Sequence, residues 1–231
     1  MIKKRTAQII DHFNTEATVF DTGVLKSVPH YRQMLSVLIE MLPFPRNKKI
    51  DLLDIGTGTG NIAYNLKKAF PHSHLVCLDF SPNMLEVAKA KLTDFKGVEF
   101  VLADINYYKF DHKYDAVVSS LTLHHLATDK DKHNFHKKIF SSLKKGGIFI
   151  NADIVLAADK VVQAINLKKW KDFILESSSA EFVKDRYKKY LAEDRPAILL
   201  HELESLRRTG FKAVDVFWKY YNFAIYGGLR S

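Results

Sequence analysis

Between Asp54 and Gly60 the chain reads Asp-Ile-Gly-Thr-Gly-Thr-Gly, where the apolar run IDLLDIG gives way to the helical pattern NIAYNLKKAF. Glycines at such a junction admit positive φ and let a ligand approach the backbone, while the following helix presents unpaired N–H groups. Two more acids hold comparable places, Asp79 at the end of HLVCLD and Asp104 at the end of VEFVLAD. A carboxylate at Asp79 is suited to accept hydrogen bonds from two ribose hydroxyls, and one at Asp104 from an adenine amino group. Asp54, two residues before the first glycine, can face an ammonium directly or through water. Singly, each acid reads as a helix cap or turn residue. Jointly, with the glycine spacing, they complement one elongated cationic nucleoside. A dinucleotide fingerprint, G-x-G-x-x-G, is excluded because Asn61 holds the place of its third glycine, and a pyrophosphate would repel Asp54.

The elements that must position these residues are visible as alternating β-rich runs and amphipathic helical patterns between residues 50 and 155, the mark of βαβ units and a parallel sheet. IDLLDIG, HLVCLDF, VEFVLADI, YDAVVSSL and GIFINADIV supply five strands. SPNMLEVAKAKL is a helix with Ser81 as N-cap and Pro82 at its first position, and KDKHNFHKKIFSSLKKGG is expected to be a helix stopped by Gly146 and Gly147. Helical segments follow: DKVVQAINLKKWKDFILESS, AEFVKDRYKKYLAED and AILLHELESLRRTG, the last closed by Gly210. VDVFWKYY and FAIYGGLR then form a closing antiparallel pair around Asn222. The expectation is an α/β, Rossmann-like, mostly parallel seven-stranded sheet with helices on both faces and a helical cover. Residues 1–49 are read as an N-terminal helical cover, 50–155 as the nucleoside-binding core, 156–209 as a helical insertion covering the substrate, and 210–231 as the closing strands.

These residues resemble the class I S-adenosylmethionine-dependent methyltransferases over roughly residues 50–155 and the terminal strands. FDTGVLKSVPHYRQML ahead of the sheet and TGFKAVDVFWKYYNFAIYGG at its end are similar to the carboxy-S-adenosylmethionine synthase branch, which takes part in tRNA uridine modification. The resemblance implies S-adenosylmethionine as cofactor and S-adenosylhomocysteine as product, with Tyr31, Gly56, Asp79, Asp104 and Ile105 in contact with the cofactor. Asp54, Thr57, Gly58, Gly60, Phe80 and Ser120 complete the expected pocket. Ser120 stands where the branch has an asparagine after the fourth strand. The arginine that holds the branch's extra carboxylate has no secure match near Arg186, Tyr187 and Lys188. The cofactor pocket is therefore carried over and the synthase activity is not. Methyl transfer to a small-molecule acceptor is expected, with a carboxy-S-adenosylmethionine synthase, a tRNA-modifying enzyme and a catalytically silent S-adenosylmethionine-binding protein as alternatives.

Methyl transfer from a sulfonium is an in-line displacement with an activated donor, so the protein mainly aligns the reactants in a dry site. A general base is needed only for an acceptor protonated at working pH. His124, in SSLTLHHL after the fourth strand, is the candidate, set against the plainer reading of a histidine packed at the sheet edge. His112, His133 and His136 form no metal set, and no metal is expected. Asp79, waiting for ligand at a strand end, is expected to contribute little to packing.

Composition sets the outer bounds. The 231 residues are 47% hydrophobic, enough for a substantial core, and the single cysteine, Cys77, has no partner for an intramolecular disulfide. No signal-peptide core and no apolar run of about 18 residues is visible, so a cytoplasmic protein with no membrane partner is expected, as monomer or homodimer. A net charge of +9 favours anionic partners, tRNA included, but the lysines are scattered over helical stretches as solvated faces and no basic-aromatic cluster stands out.

Overall fold

The computed structural model describes residue 9 and residues 11–231. The first eight residues of the expected N-terminal cover, and Ile10, lie outside them. Residues 11–16 are helical and lead into α1 (Phe20–Ser27) and α2 (Tyr31–Glu40). The core then alternates β1 (Asp51–Ile55), α3 (Asn61–Ala69), β2 (His74–Asp79), α4 (Pro82–Lys91), β3 (Val98–Leu102) and β4 (Tyr114–Ser120). A short 3-10 helix (Leu123–His125), α5 (Asp129–Ser142) and β5 (Leu143–Ile154) complete the parallel part. Three helices, α6 (Lys160–Leu175), α7 (Ala180–Glu193) and α8 (Leu199–Thr209), precede the final strands β6 (Lys212–Tyr220) and β7 (Phe223–Leu229).

The seven strands form one sheet in the order β3-β2-β1-β4-β5-β7-β6. β1 to β5 pair in parallel, and β7 lies antiparallel between β5 and β6. Strand order reverses beside β1, between β2 and β4, and that switch point is where open α/β sheets take their ligands. Alternate residues of the central strands feed two separate cores, because both faces are covered. Leu52, Leu75 and Cys77 face α2, α3 and α6, whereas Leu53, Val76 and Leu78 belong to the layer of α5 and α8.

Local signals set several helix ends. Ser81 caps α4 by accepting from the Met84 amide at 3.1 Å, ahead of Pro82, and Gly210 closes α8 with φ +112°. One expected boundary is wrong. α5 stops at Ser142, and the two glycines lie inside β5 instead of ending the helix. Leu143, buried, pairs with Tyr114, and the register then jumps so that Ala116 pairs with Ile148. Gly146 turns the extra residues with φ +79°, while a Cβ on Gly147 would lie 2.9 Å from the Asp115 carbonyl oxygen. Burial of Leu143 and the ion pairs of Lys144 with Asp51 (2.6 Å) and Asp115 (2.7 Å) take the chain out of the helix early.

The β5–β7 contact tolerates no side chain at Gly227, where an added Cβ would sit 2.0 Å from the Phe149 carbonyl oxygen. Gly227→Ala is expected to lower the urea midpoint by the equivalent of about 3 kcal/mol or more, since two backbones must part. An unchanged midpoint would contradict the register of these strands.

Candidate active site

The loop after β1 is built on glycines in the left-handed region. Gly56 has φ +68° and a Cβ there would strike the Thr122 side chain at 2.1 Å, so this position brings β1 and the β4 exit together as no other residue would. The Gly56 and Thr57 amides both donate to the Leu78 carbonyl, at 2.8 and 3.0 Å. Gly58 faces open space, and Gly60 is the N-cap of α3.

The acids divide over two adjoining cavities. The glycine-loop cavity is lined by Asp54, Gly56, Thr57, Gly58, Asp79, Phe80, Ser120 and Tyr31. The outer cavity is lined by Asp104 and Ile105 together with Gly56, Asp79, Phe80 and Thr122, which the two share. Asp79 thus stands between them. Gly60 lies in neither lining; it positions the loop.

Asp54 is buried, and its Oδ2 accepts from Thr57 Oγ1 at 2.6 Å. Burial pushes its carboxyl up to about 7, against the Thr57 hydrogen bond, and the Asp79 charge adds to the rise. Asp79 is buried too, but both its oxygens are taken by backbone amides: Oδ2 accepts from Gly58 N and Oδ1 from Ser81 N, each at 2.8 Å. Burial still leaves it above the ordinary carboxylate range. It therefore ties the glycine loop to the turn before α4, and the expectation that it contributes little to packing is corrected. Asp104 Oδ1 accepts from the Asn106 amide and side chain, both at 2.8 Å. Ser120 Oγ is buried without a hydrogen-bond partner among the described residues, beside the glycine-loop cavity.

The N-terminal helices are tied to this loop by a residue that motif reading overlooks. Asp21 of α1 accepts from Thr59 Oγ1 (2.6 Å) and Asn61 Nδ2 (2.9 Å) and pairs with Lys91 of α4 (2.7 Å). Burial opposes its charge, but the Lys91 hydrogen bond prevails and holds its pKa low. Asn61 also donates to the Tyr31 hydroxyl at 3.3 Å. The FDTG segment carried the signal, although its partners lie up to 70 positions away.

A third, cover cavity of about 710 Å³ adjoins the first and shares Phe13, Phe20, Leu121 and His125 with it. Its other walls come from α1, from Trp170 of α6, and from Arg186, Lys189 and Tyr190 of α7. Arg186, for which the sequence offers no secure role, lines this cavity and donates to Ser27 Oγ at 3.1 Å. His124 also lines it. Asp153 accepts from both the His124 amide (3.0 Å) and Nδ1 (2.5 Å), and Asp194 Oδ1 lies 3.4 Å from Nε2. Burial disfavours charge on this ring, yet the two carboxylates outweigh it and push its pKa up to about 10. Such surroundings favour the protonated form of the ring, which works against the general base expected of it.

The sheet thus carries the glycine loop and the three acids at the carboxyl ends of β1, β2 and β3, the edge at which open α/β sheets take ligands. Residues 52–147 match the methyltransferase domain family. The carboxy-S-adenosyl-L-methionine synthase of Nautilia profundicola is 28% identical over 212 residues, covering 91% of this chain and 90% of that protein. The malonyl-[acyl-carrier protein] O-methyltransferase of Acetivibrio thermocellus is 29% identical but aligns over 64% of this chain and 49% of its own. Among solved structures, an O-methyltransferase family protein from Burkholderia thailandensis superposes with a TM-score of 0.72 at 16% identity, covering 96% of this chain and 61% of that one. A chain from the complex of the Haloferax volcanii Trm112 methyltransferase activator with its methyltransferase gives 0.67 at 17% identity, covering 94% and 97%. The family match thus spans the stretch that carries the glycine loop and the three acids.

Two substitutions separate the acids. A carboxyl whose folded-state pKa is raised stabilises the fold while protonated, so Asp54 costs ligand-free stability as pH climbs from about 4 to about 7. Asp54→Asn is expected to gain on wild type in melting temperature over that interval. Its S-adenosylhomocysteine affinity should lose the rise with pH that ionised Asp54, facing the ammonium, gives wild type near pH 7; parallel pH profiles would remove Asp54 from the ligand. Asp79→Ala leaves two amides without acceptors and should destabilise the ligand-free protein by about 1–3 kcal/mol for each, besides weakening cofactor binding. Differential scanning calorimetry with and without S-adenosylhomocysteine measures both effects.

Proposed function

We propose that this chain transfers the methyl group of S-adenosylmethionine to a small molecule held in the cover cavity. The observation that carries this reading is the wall shared by the glycine-loop and cover cavities, where Leu121 and His125 line both. In this reading the donor lies along Asp54, Asp79 and Asp104, with its ammonium at Asp54, its ribose at Asp79 and its adenine at Asp104 and Ile105. Tyr31, Thr57, Phe80 and Ser120 close the pocket around it. The sulfonium methyl then points past Ser120 toward the cover cavity. An acceptor there meets it away from bulk water, and alignment supplies most of the rate. His124, held between two carboxylates, positions the wall of the cover cavity instead of removing a proton.

Residues 11–49 and 156–209 act as a cover over the core of 50–155, which 210–231 completes. Among the described residues no helix is long and apolar enough to cross a membrane, and the free thiol of Cys77 is buried. We place the enzyme in the cytoplasm on this basis. The bias toward anionic partners that comes with the +9 charge supports tRNA only as a secondary substrate class.

A second reading has specific support. Relatives that align over about nine-tenths of both chains are named carboxy-S-adenosyl-L-methionine synthase, and Arg186 and Lys189 bring cationic groups to the cover cavity. Lys189 Nζ is engaged by Glu16 at 2.5 Å, and Arg186 NH1 lies 3.9 Å from the same carboxylate. That neutralisation favours the methyl-transfer reading. Mass spectrometry of the nucleoside extracted from purified protein decides between them: S-adenosylmethionine or S-adenosylhomocysteine is expected, and a carboxylated nucleoside would overturn the first reading for the second.

The cover makes its own prediction. Hydrogen exchange should slow around Tyr31 and across α6 and α7 when S-adenosylhomocysteine binds, because closing over the ligand reduces local opening. Unchanged exchange in α6 and α7, with saturation proved by calorimetry, would refute the cover.

A further inference from the structure

The turn after β4 and the end of α7 are fixed to each other, since the Arg195 amide donates to the His124 carbonyl at 2.8 Å. This brings His124, His125 and Asp194 together, each offering one ligand atom within 4.8 Å of the others. His124 Nε2 and His125 Nδ1 lie 3.4 and 3.6 Å from Asp194 Oδ1. An ion bound to nitrogen and oxygen at about 2.0–2.1 Å has ligand–ligand edges of about 3.4 Å in a tetrahedral site and about 3.0 Å in an octahedral one. Both separations match the tetrahedral edge.

We propose that His124, His125 and Asp194 bind one divalent transition-metal ion of the zinc class, leaving a fourth position open to the cover cavity. Asp153 supplies the support such a site needs. It takes Nδ1 of His124 and the backbone amide of the same residue, which fixes the ring and turns Nε2 toward the ion, where the metal takes the place of the Nε2 proton that the ring carries when the site is empty. The donor set is two imidazoles and one carboxylate, chemistry that suits zinc, cobalt or iron better than the oxygen-seeking magnesium and calcium. All three ligands line the cover cavity.

The set differs from the histidines on which the expected absence of metal was based. His133 and His136 both turn Nδ1 to Ser205 Oγ at 2.9 Å, on the far side of the sheet layer formed by α5 and α8. An open position beside a wall shared with the glycine-loop cavity gives the ion a task. It would hold an acceptor thiol or hydroxyl as its anion, making the nucleophile without a protein base. That last step rests on the methyl-transfer reading, whereas binding of the ion does not.

The test uses untagged full-length protein stripped with a chelator, then titrated with zinc by calorimetry and with cobalt by visible absorption. One ion per chain and the intense band of four-coordinate cobalt are expected. His125→Gln and Asp194→Asn should each weaken zinc binding more than tenfold, and Asp153→Asn by about 10–100-fold, with circular dichroism confirming the fold. Wild type that takes up no zinc saturably, or variants that bind it as tightly as wild type, would overturn the site. Zinc bound at these residues without methyl transfer to any small acceptor would uphold the site and remove the acceptor reading alone.

Discussion

The Asp79 carboxylate, accepting from Gly58 of one loop and Ser81 of the next, is the contact on which the ligand edge of this sheet depends. It joins the turn after β1 to the turn after β2 at the point where strand order reverses. It adds Gly58 to the contacts that fix the loop, beside the Gly56 and Thr57 amides on the Leu78 carbonyl, and it stands in the wall that the two flanking cavities share. The arrangement carries an electrostatic cost. Burial raises both carboxyls, the Asp79 charge adds to the rise at Asp54, and backbone amides hold Asp79 against it. A ligand bringing a positive charge to Asp54 offsets that cost, while a pyrophosphate would add to it. The desolvation of the edge thus favours a ligand that brings positive charge over one that brings negative charge.

A second constraint couples the N-terminal helices to the same loop. Asn61, whose side chain rules out the dinucleotide spacing, is also a hub: it donates to Asp21 and Tyr31 and accepts from Lys91 at 2.6 Å. One residue type therefore serves two ends, refusing a third glycine and holding α1 and α4 over the loop. Trp170 of α6 reaches α1 in turn, donating to the Ser27 carbonyl at 2.7 Å. Loop, N-terminal helices and α6 form a continuous mechanical path.

What the sequence made legible was local. The alternation of strands and helices, the Ser81 cap and the Gly210 stop each depend on a few neighbouring residues, and so does the glycine loop with its acids. The parts it hid depend on distant pairing. Asp21 meets Lys91, His124 meets Asp153 and Asp194, and the end of α5 is decided by the pairing of Leu143 with Tyr114. Gly146 and Gly147 look like a helix stop because they turn the chain. The turn they make is a bulge within a strand, a distinction set by the neighbouring strand. His124 shows the same limit for chemistry: its type suggested a base, and only its carboxylate neighbours show that the protonated form is favoured.

The boundary between the glycine-loop and cover cavities rests on a residue with an uncommon backbone. Leu121 has φ +51°, a region a bulky side chain enters only when its surroundings hold it there, at a cost of order 1–3 kcal/mol. Its amide donates to Ala152 at 2.9 Å, which keeps it attached to β5 while the chain reverses direction. The reversal has a geometric result. Ser120 is left beside the glycine-loop cavity, Leu121 lies between the two cavities, and the histidines three and four positions on face the cover cavity. An extended residue at 121 would carry β4 onward and place those groups on one line along the strand. The strained turn is what allows a single short segment, Ser120 to His125, to wall two chemically different spaces, one shaped by buried carboxylates and the other by imidazoles and a guanidinium.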